Sequence, residues 1–191
     1  MRDFLFSVMD RQALIDTLSQ DIRKKNIVNL RREFRKSGRP LAELVSLSFS
    51  EDEGLAWRAS WLLENVLIGK LGFYSGQIAG IFNAFPHVQW PGCRRHYGKM
   101  VARMSDPRSA FMKKWVPEKA REPVVETCFE WLINEKEKVA VKVFCVQILF
   151  NLRGEFDWVT EELRQQLPFL MRDGSAAMQA KGRKILSALG A

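Results

Sequence analysis

At 191 residues, 47% apolar and 27% charged, the chain has an ordinary folded-protein composition, with enough length for one sizeable core or a short solenoid. Its 30 Lys and Arg outnumber its 22 Asp and Glu, giving +8 at neutral pH, and the whole excess lies before residue 122. No apolar run approaches a membrane span and the first residues lack a signal-peptide core, while Cys93, Cys128 and Cys145, odd in number and far apart, fit core positions in a reducing compartment; the expected location is the cytoplasm.

The first fifty residues predict helices over about 3–19, 20–37 and 40–48, without a visible repeat, and are read as an N-terminal cap (1–50) of one domain spanning 1–191. On the second of these, Lys24, Lys25, Arg31, Arg32, Arg35 and Lys36 share an arc of roughly 140° beside Ile27, Leu30 and Phe34. The preferred reading is the wet face of an amphipathic helix; the alternative is a patch that attracts phosphate.

From residue 51 onward one apolar template recurs, with positions at 0, +4, +7, +8 and +11. Its copies are Leu55/Ala59/Leu62/Leu63/Val66, Cys93/Tyr97/Met100/Val101/Met104, Val141/Cys145/Ile148/Leu149/Leu152 and Met178/Gly182/Ile185/Leu186/Leu189. The second positions lie 38, 48 and 37 residues apart, the period of stacked helical hairpins.

In the first copy the template occupies an arc of roughly 100°, which is one-sided burial. Trp57 and Trp61 lie on the opposite side; packing against the preceding layer, such as the 40–48 helix, is the expected arrangement, and an aromatic floor in a groove is the alternative. A partner helix over 75–85 follows, bracketed by Gly69, Gly72 and Gly76 and by Pro86, Pro91 and Gly92. The second copy carries Arg95, Lys99 and Arg103 at four-residue steps, a ridge turned from the template face that includes His96. The surplus in the 48-residue spacing falls over 105–121, where Arg108, Phe111, Lys113, Lys114 and Trp115 interleave cations with aromatics. Pinning of the longer connection to the core is the preferred role for Phe111 and Trp115. Partner helices are expected over 122–134 and 157–171, and the third copy bears a second apolar row, Val139, Val143, Val146 and Phe150, predicting an internal helix packed on two faces.

Residues 51–66, with an acidic start, Arg58, the small Ala59 and the Leu62-Leu63 pair, resemble a HEAT-like repeat helix, and 141–152 and 178–189 resemble weaker copies. The resemblance to the HEAT-like or armadillo-type superfamily implies an all-α chain, an α-α superhelix of stacked hairpins over 51–191, used to recognise proteins or nucleic acids.

Residues 1–121 hold 21 Lys and Arg against 12 Asp and Glu, whereas residues 122–191 hold 9 against 10. Enzyme signatures are sparse. His87 and His96 lack metal-ligand spacing, Gly69-Lys70-Leu71-Gly72 lacks the rest of a phosphate loop, and Glu161-Glu162 reads as a helix start. No catalytic residue, cofactor or metal is therefore expected. Asp157-Trp158 is the nearest combination to the Trp and Asp set of HEAT-like alkylpurine DNA glycosylases, a remote third reading. The expected function is a non-catalytic scaffold binding another protein, with nucleic acid as the alternative partner and no membrane. The nucleic-acid alternative requires the 20–37 cations and the 94–121 zone to meet on one surface.

Overall fold

The computed structural model describes residues 11–20, 24–108, 111–172 and 174–190; the side chains of Lys24, Lys25 and Phe111 lie outside that description. The described residues contain helices, turns and loops and no strand, as expected for an all-α chain. The helices are α1 (Arg11–Ser19), α2 (Lys24–Ser37), α3 (Leu41–Leu47), α4 (Glu53–Leu67), α5 (Ile78–Ala84), α6 (Pro91–Met104), α7 (Phe111–Trp115), α8 (Glu118–Ile133), α9 (Val139–Leu152), α10 (Asp157–Arg172) and α11 (Ala176–Ala188). Single 3-10 turns at Ser75–Gln77 and Phe85–His87 flank α5, so the expected 75–85 helix is one continuous segment of mixed winding.

Local chemistry sets the starts of the template helices. Asp52 accepts from the Leu55 N–H at 3.0 Å ahead of α4, Pro91 is the first residue of α6, and Ser175 accepts from the Met178 N–H at 3.3 Å ahead of α11. Gly69, at φ +88°, ends the run after α4 in a conformation that costs glycine little. α8 begins four residues before the expected 122, because Pro117 supplies the extended residue at its start and Pro123 is carried inside the helix.

Packing arranges these helices in two rows. The template helices α4, α6, α9 and α11 each pack on the next, and α2 packs on α4 ahead of them. Behind that row, α3, α8 and α10 pair with α4, α9 and α11, while α5 packs on α3, α8 and α6; α1 also rests on α4. The result is the expected α-α superhelix of hairpins. Eighteen of the twenty template positions are buried; Leu186 and Leu189, on the terminal helix α11, remain half-buried. Each fully buried aliphatic side chain contributes about 1.5–3 kcal/mol, so the template rows are the main cohesive term.

Close approach of α6 to α9 depends on Gly98, where a Cβ would stand 3.0 Å from the Cβ of Phe144. Helix α9 packs on α6, α8, α10 and α11, as an internal element should. Its second apolar row is only partly enclosed, however: Val146 is buried, Val143 and Phe150 half-buried, and Val139 exposed. The surplus residues hold α7 and the first turn of α8, with α7 against the Ser75–Gln77 turn.

Candidate functional site

Helices α4 and α6 are consecutive in the template row, so their sides turned away from the second row form one open face. Helical periodicity identifies what that face carries. On α4, Trp57 and Trp61 lie opposite Ala59, Leu62, Leu63 and Val66; on α2, Arg32 and Lys36 lie opposite Ile27, Leu30 and Phe34, the side that packs on α4, and so point away from it. On α6, Arg95 and Lys99 lie opposite Cys93, Tyr97, Met100 and Met104, with Arg103 at the margin. Two tryptophans thus stand beside the cations of α6.

The tryptophans correct the sequence expectation. Trp57 packs forward onto α6, where Gly92 leaves room: a Cβ there would meet Trp57 Cδ1 at 2.7 Å, while Trp61 is half-buried against the core. Trp57 stacks obliquely on Trp61 at 5.3 Å between centroids and meets the His96 ring edge-on at 5.7 Å, yet remains 37% exposed. Sequence reasoning could not see this, since a helical wheel gives a direction without saying which neighbour lies there.

Beneath the face is a buried polar cluster that the sequence did not suggest. His96, placed on the exposed ridge by its spacing, is 2% exposed and bonds through Nδ1 to Glu64 Oε2 at 2.7 Å. A carboxylate partner at Nδ1 makes that nitrogen the donor. Lys99 Nζ donates to Glu64 Oε1 at 2.5 Å. Burial raises the Glu64 pKa, but the hydrogen bonds from His96 and Lys99 outweigh it and hold the carboxyl below its ordinary value. The acid under this face is therefore already matched. The only sequence hint was the seven-residue step from Trp57 to Glu64, which puts both on one side of α4.

The other predicted residues divide by their partners. Arg35 does not reach solvent freely: its guanidinium donates to Val66 O at 3.0 Å and Asn65 O at 3.2 Å, capping the carboxyl end of α4. Arg31 is half-buried, and Arg32 bonds Asn29 at 3.3 Å within its own helix. The Lys24 and Lys25 side chains fall outside the described residues. In the connection after α6, Arg108 is paired with Asp106 at 2.7 Å, and its hydrogen bonds bring the Asp106 pKa down to about 2. Lys113 and Lys114 are exposed on α7, Lys114 lying 5.1 Å over the ring of Trp115, itself 37% exposed. These α7 residues sit beside the start of α5, in the other row, and do not join the open face. Phe111 belongs to α7, but its side chain is outside the description.

Cysteines 93, 128 and 145 are free thiols and all buried. Among the described residues there is no group of His, Cys, Asp and Glu suited to a metal, and no helix long and apolar enough to cross a membrane. Asp157 and Trp158 lie at the start of α10, in the second row, with Trp158 stacked on Phe129 at 5.2 Å. They are remote in topology from the tryptophan and arginine face.

A family model described as a HEAT repeat domain matches residues 14–189. No curated protein and no solved structure matches the chain.

Proposed function

The chain belongs to the HEAT repeat domain family, and from that premise we propose that it is a non-catalytic scaffold that docks a macromolecular partner on the open face of α4 and α6. In this reading the described helices α1 to α3 belong to the N-terminal cap of a single domain, and the three buried free thiols suit action in the cytoplasm. The observation that carries the reading is the juxtaposition of Trp57 and Trp61 with Arg95 and Lys99 over an acid already neutralised from within. Aromatic and arginine side chains supply most of the binding energy where partners meet.

The partner is anionic. A protein with an acidic segment and a nucleic acid both meet that description; the succession of Arg95 and Arg103 along α6 favours a partner with distributed charge.

A combined Arg95→Glu and Arg103→Glu variant tests the face. Binding of either polyglutamate or a mixed-sequence oligonucleotide, measured by fluorescence anisotropy, should weaken at least about tenfold, the effect of about 1.4 kcal/mol. Reversal of Lys136, exposed in the turn before α9, should leave binding unchanged. Equal binding by all three proteins would refute the assignment.

A further inference from the structure

We infer that the partner of the open face is a single-stranded nucleic acid, its bases stacked on Trp57 and Trp61 and its phosphates held by Arg95 and Arg103, an inference that rests on the docking face proposed above. Charge alone would suit an acidic peptide equally; the arrangement of the rings decides between them. Trp57 and Trp61 form a tilted pair four residues apart on α4, and Trp57 keeps more than a third of its surface open. A peptide carboxylate gains little from an exposed indole, whereas every nucleobase can stack on one without regard to sequence.

The cations stand where the backbone of such a strand would run. Arg95, Lys99 and Arg103 advance along α6 in steps of about 6 Å, four residues at 1.5 Å each. That is the order of the spacing between successive phosphates in an extended strand. Lys99 is engaged by Glu64, and Arg103 lies 3.8 Å from Asp106 on a largely exposed side chain, so Arg95 and Arg103 are the residues available to an incoming anion. Helix α6 lies beside α4, and Trp57 reaches it at Gly92, so bases on the tryptophans would have their phosphates over the neighbouring helix. A duplex satisfies the cations but keeps its bases stacked on one another, out of reach of the rings.

Anisotropy titrations of the full chain with a labelled single strand, the duplex of the same length, an abasic strand and polyglutamate test this. The single strand should bind at least about tenfold more tightly than the abasic strand, since base stacking on an aromatic side chain is worth about 1–3 kcal/mol. It should also exceed the duplex. The Arg95→Gln/Arg103→Gln variant should lower the slope of log affinity against log salt by about 1.4, two single-strand phosphate contacts. Trp57→Leu should weaken the single strand to the level of the abasic one; the abasic comparison on the unmodified chain carries the test if that variant does not fold. Equal binding of abasic and normal strands, or preference for the duplex, overturns the inference. Binding of polyglutamate alone, lost on reversal of Arg95, overturns it while leaving the docking face intact. Absence of binding to every probe overturns both, and an unchanged salt slope in the arginine variant removes the face from nucleic-acid contact.

Discussion

Replacement of Glu64 by glutamine tests whether the buried cluster under the face is held by charge. In the native chain one carboxylate oxygen accepts from His96 Nδ1 at 2.7 Å and the other from Lys99 Nζ at 2.5 Å. The amide keeps one acceptor, which the buried His96 claims, and turns a donor toward Lys99. A hydrogen bond to a charged group is worth about 1.5–3 kcal/mol and a neutral one about 0.5–1.5, so weakening the His96 bond costs about 1 kcal/mol. The Lys99 side chain is 44% exposed and returns to water, so loss of that ion pair adds about 0–1 kcal/mol. The expected destabilisation is about 1–2 kcal/mol near pH 7, or about 2–8 °C in Tm for a chain of this size. Because the Glu64 carboxyl is held below its ordinary value in the folded chain, its contribution is complete above the unfolded-state pKa and disappears as pH falls through the depressed one. Denaturant titrations of both proteins, stepped from neutral pH to below the ordinary glutamate range, should therefore converge at the acid end. A variant as stable as the native chain at neutral pH, or a gap undiminished in acid, would refute the reasoning.

Further substitutions separate packing from binding. Tyr97→Phe removes a buried hydroxyl that donates to Ser48 Oγ at 2.7 Å while Ser48 bonds Val45 O; unfolding titrations should show a loss of about 1 kcal/mol, with oligonucleotide affinity unaltered. Arg35→Ala should cost about 1 kcal/mol by uncapping α4, and a change in salt slope instead would return Arg35 to the binding surface. Gly92→Ala should displace the Trp57 ring, seen as a shift in tryptophan emission and a loss of single-strand affinity; unchanged emission would contradict the contact. Thiol titration of the native chain should find Cys93, Cys128 and Cys145 unreactive until unfolding, since burial raises the Cys93 and Cys128 thiols above their ordinary pKa; rapid labelling would speak against a closed core.

The architecture was legible because it is written in period. Hydrophobic residues at 0, +4, +7, +8 and +11 bury one side of a helix whatever its neighbours are, and repeating that pattern at hairpin intervals leaves stacking as the way to cover it. The long second spacing likewise announced an insertion, found as α7 and the first turn of α8. The same local logic misplaced His96, because exposure along a ridge was inferred from the charges beside it, while α4 supplied a carboxylate from 32 residues away. It also could not tell a free cation from a structural one. Arg35 and Lys36 are adjacent and chemically alike, yet one caps α4 and the other is exposed.

The sequence by itself determined an all-α repeat, the positions of its four template helices and the clustering of positive charge before residue 122, since each follows from spacing or composition along the chain. Only the tertiary structure decided that Trp57 leans on α6, that Glu64 neutralises Lys99 from below, and that the α7 cations sit away from the ridge. Those outcomes depend on which helix stands beside which and how closely, and at Gly92 and Gly98 the absence of a single Cβ sets that distance.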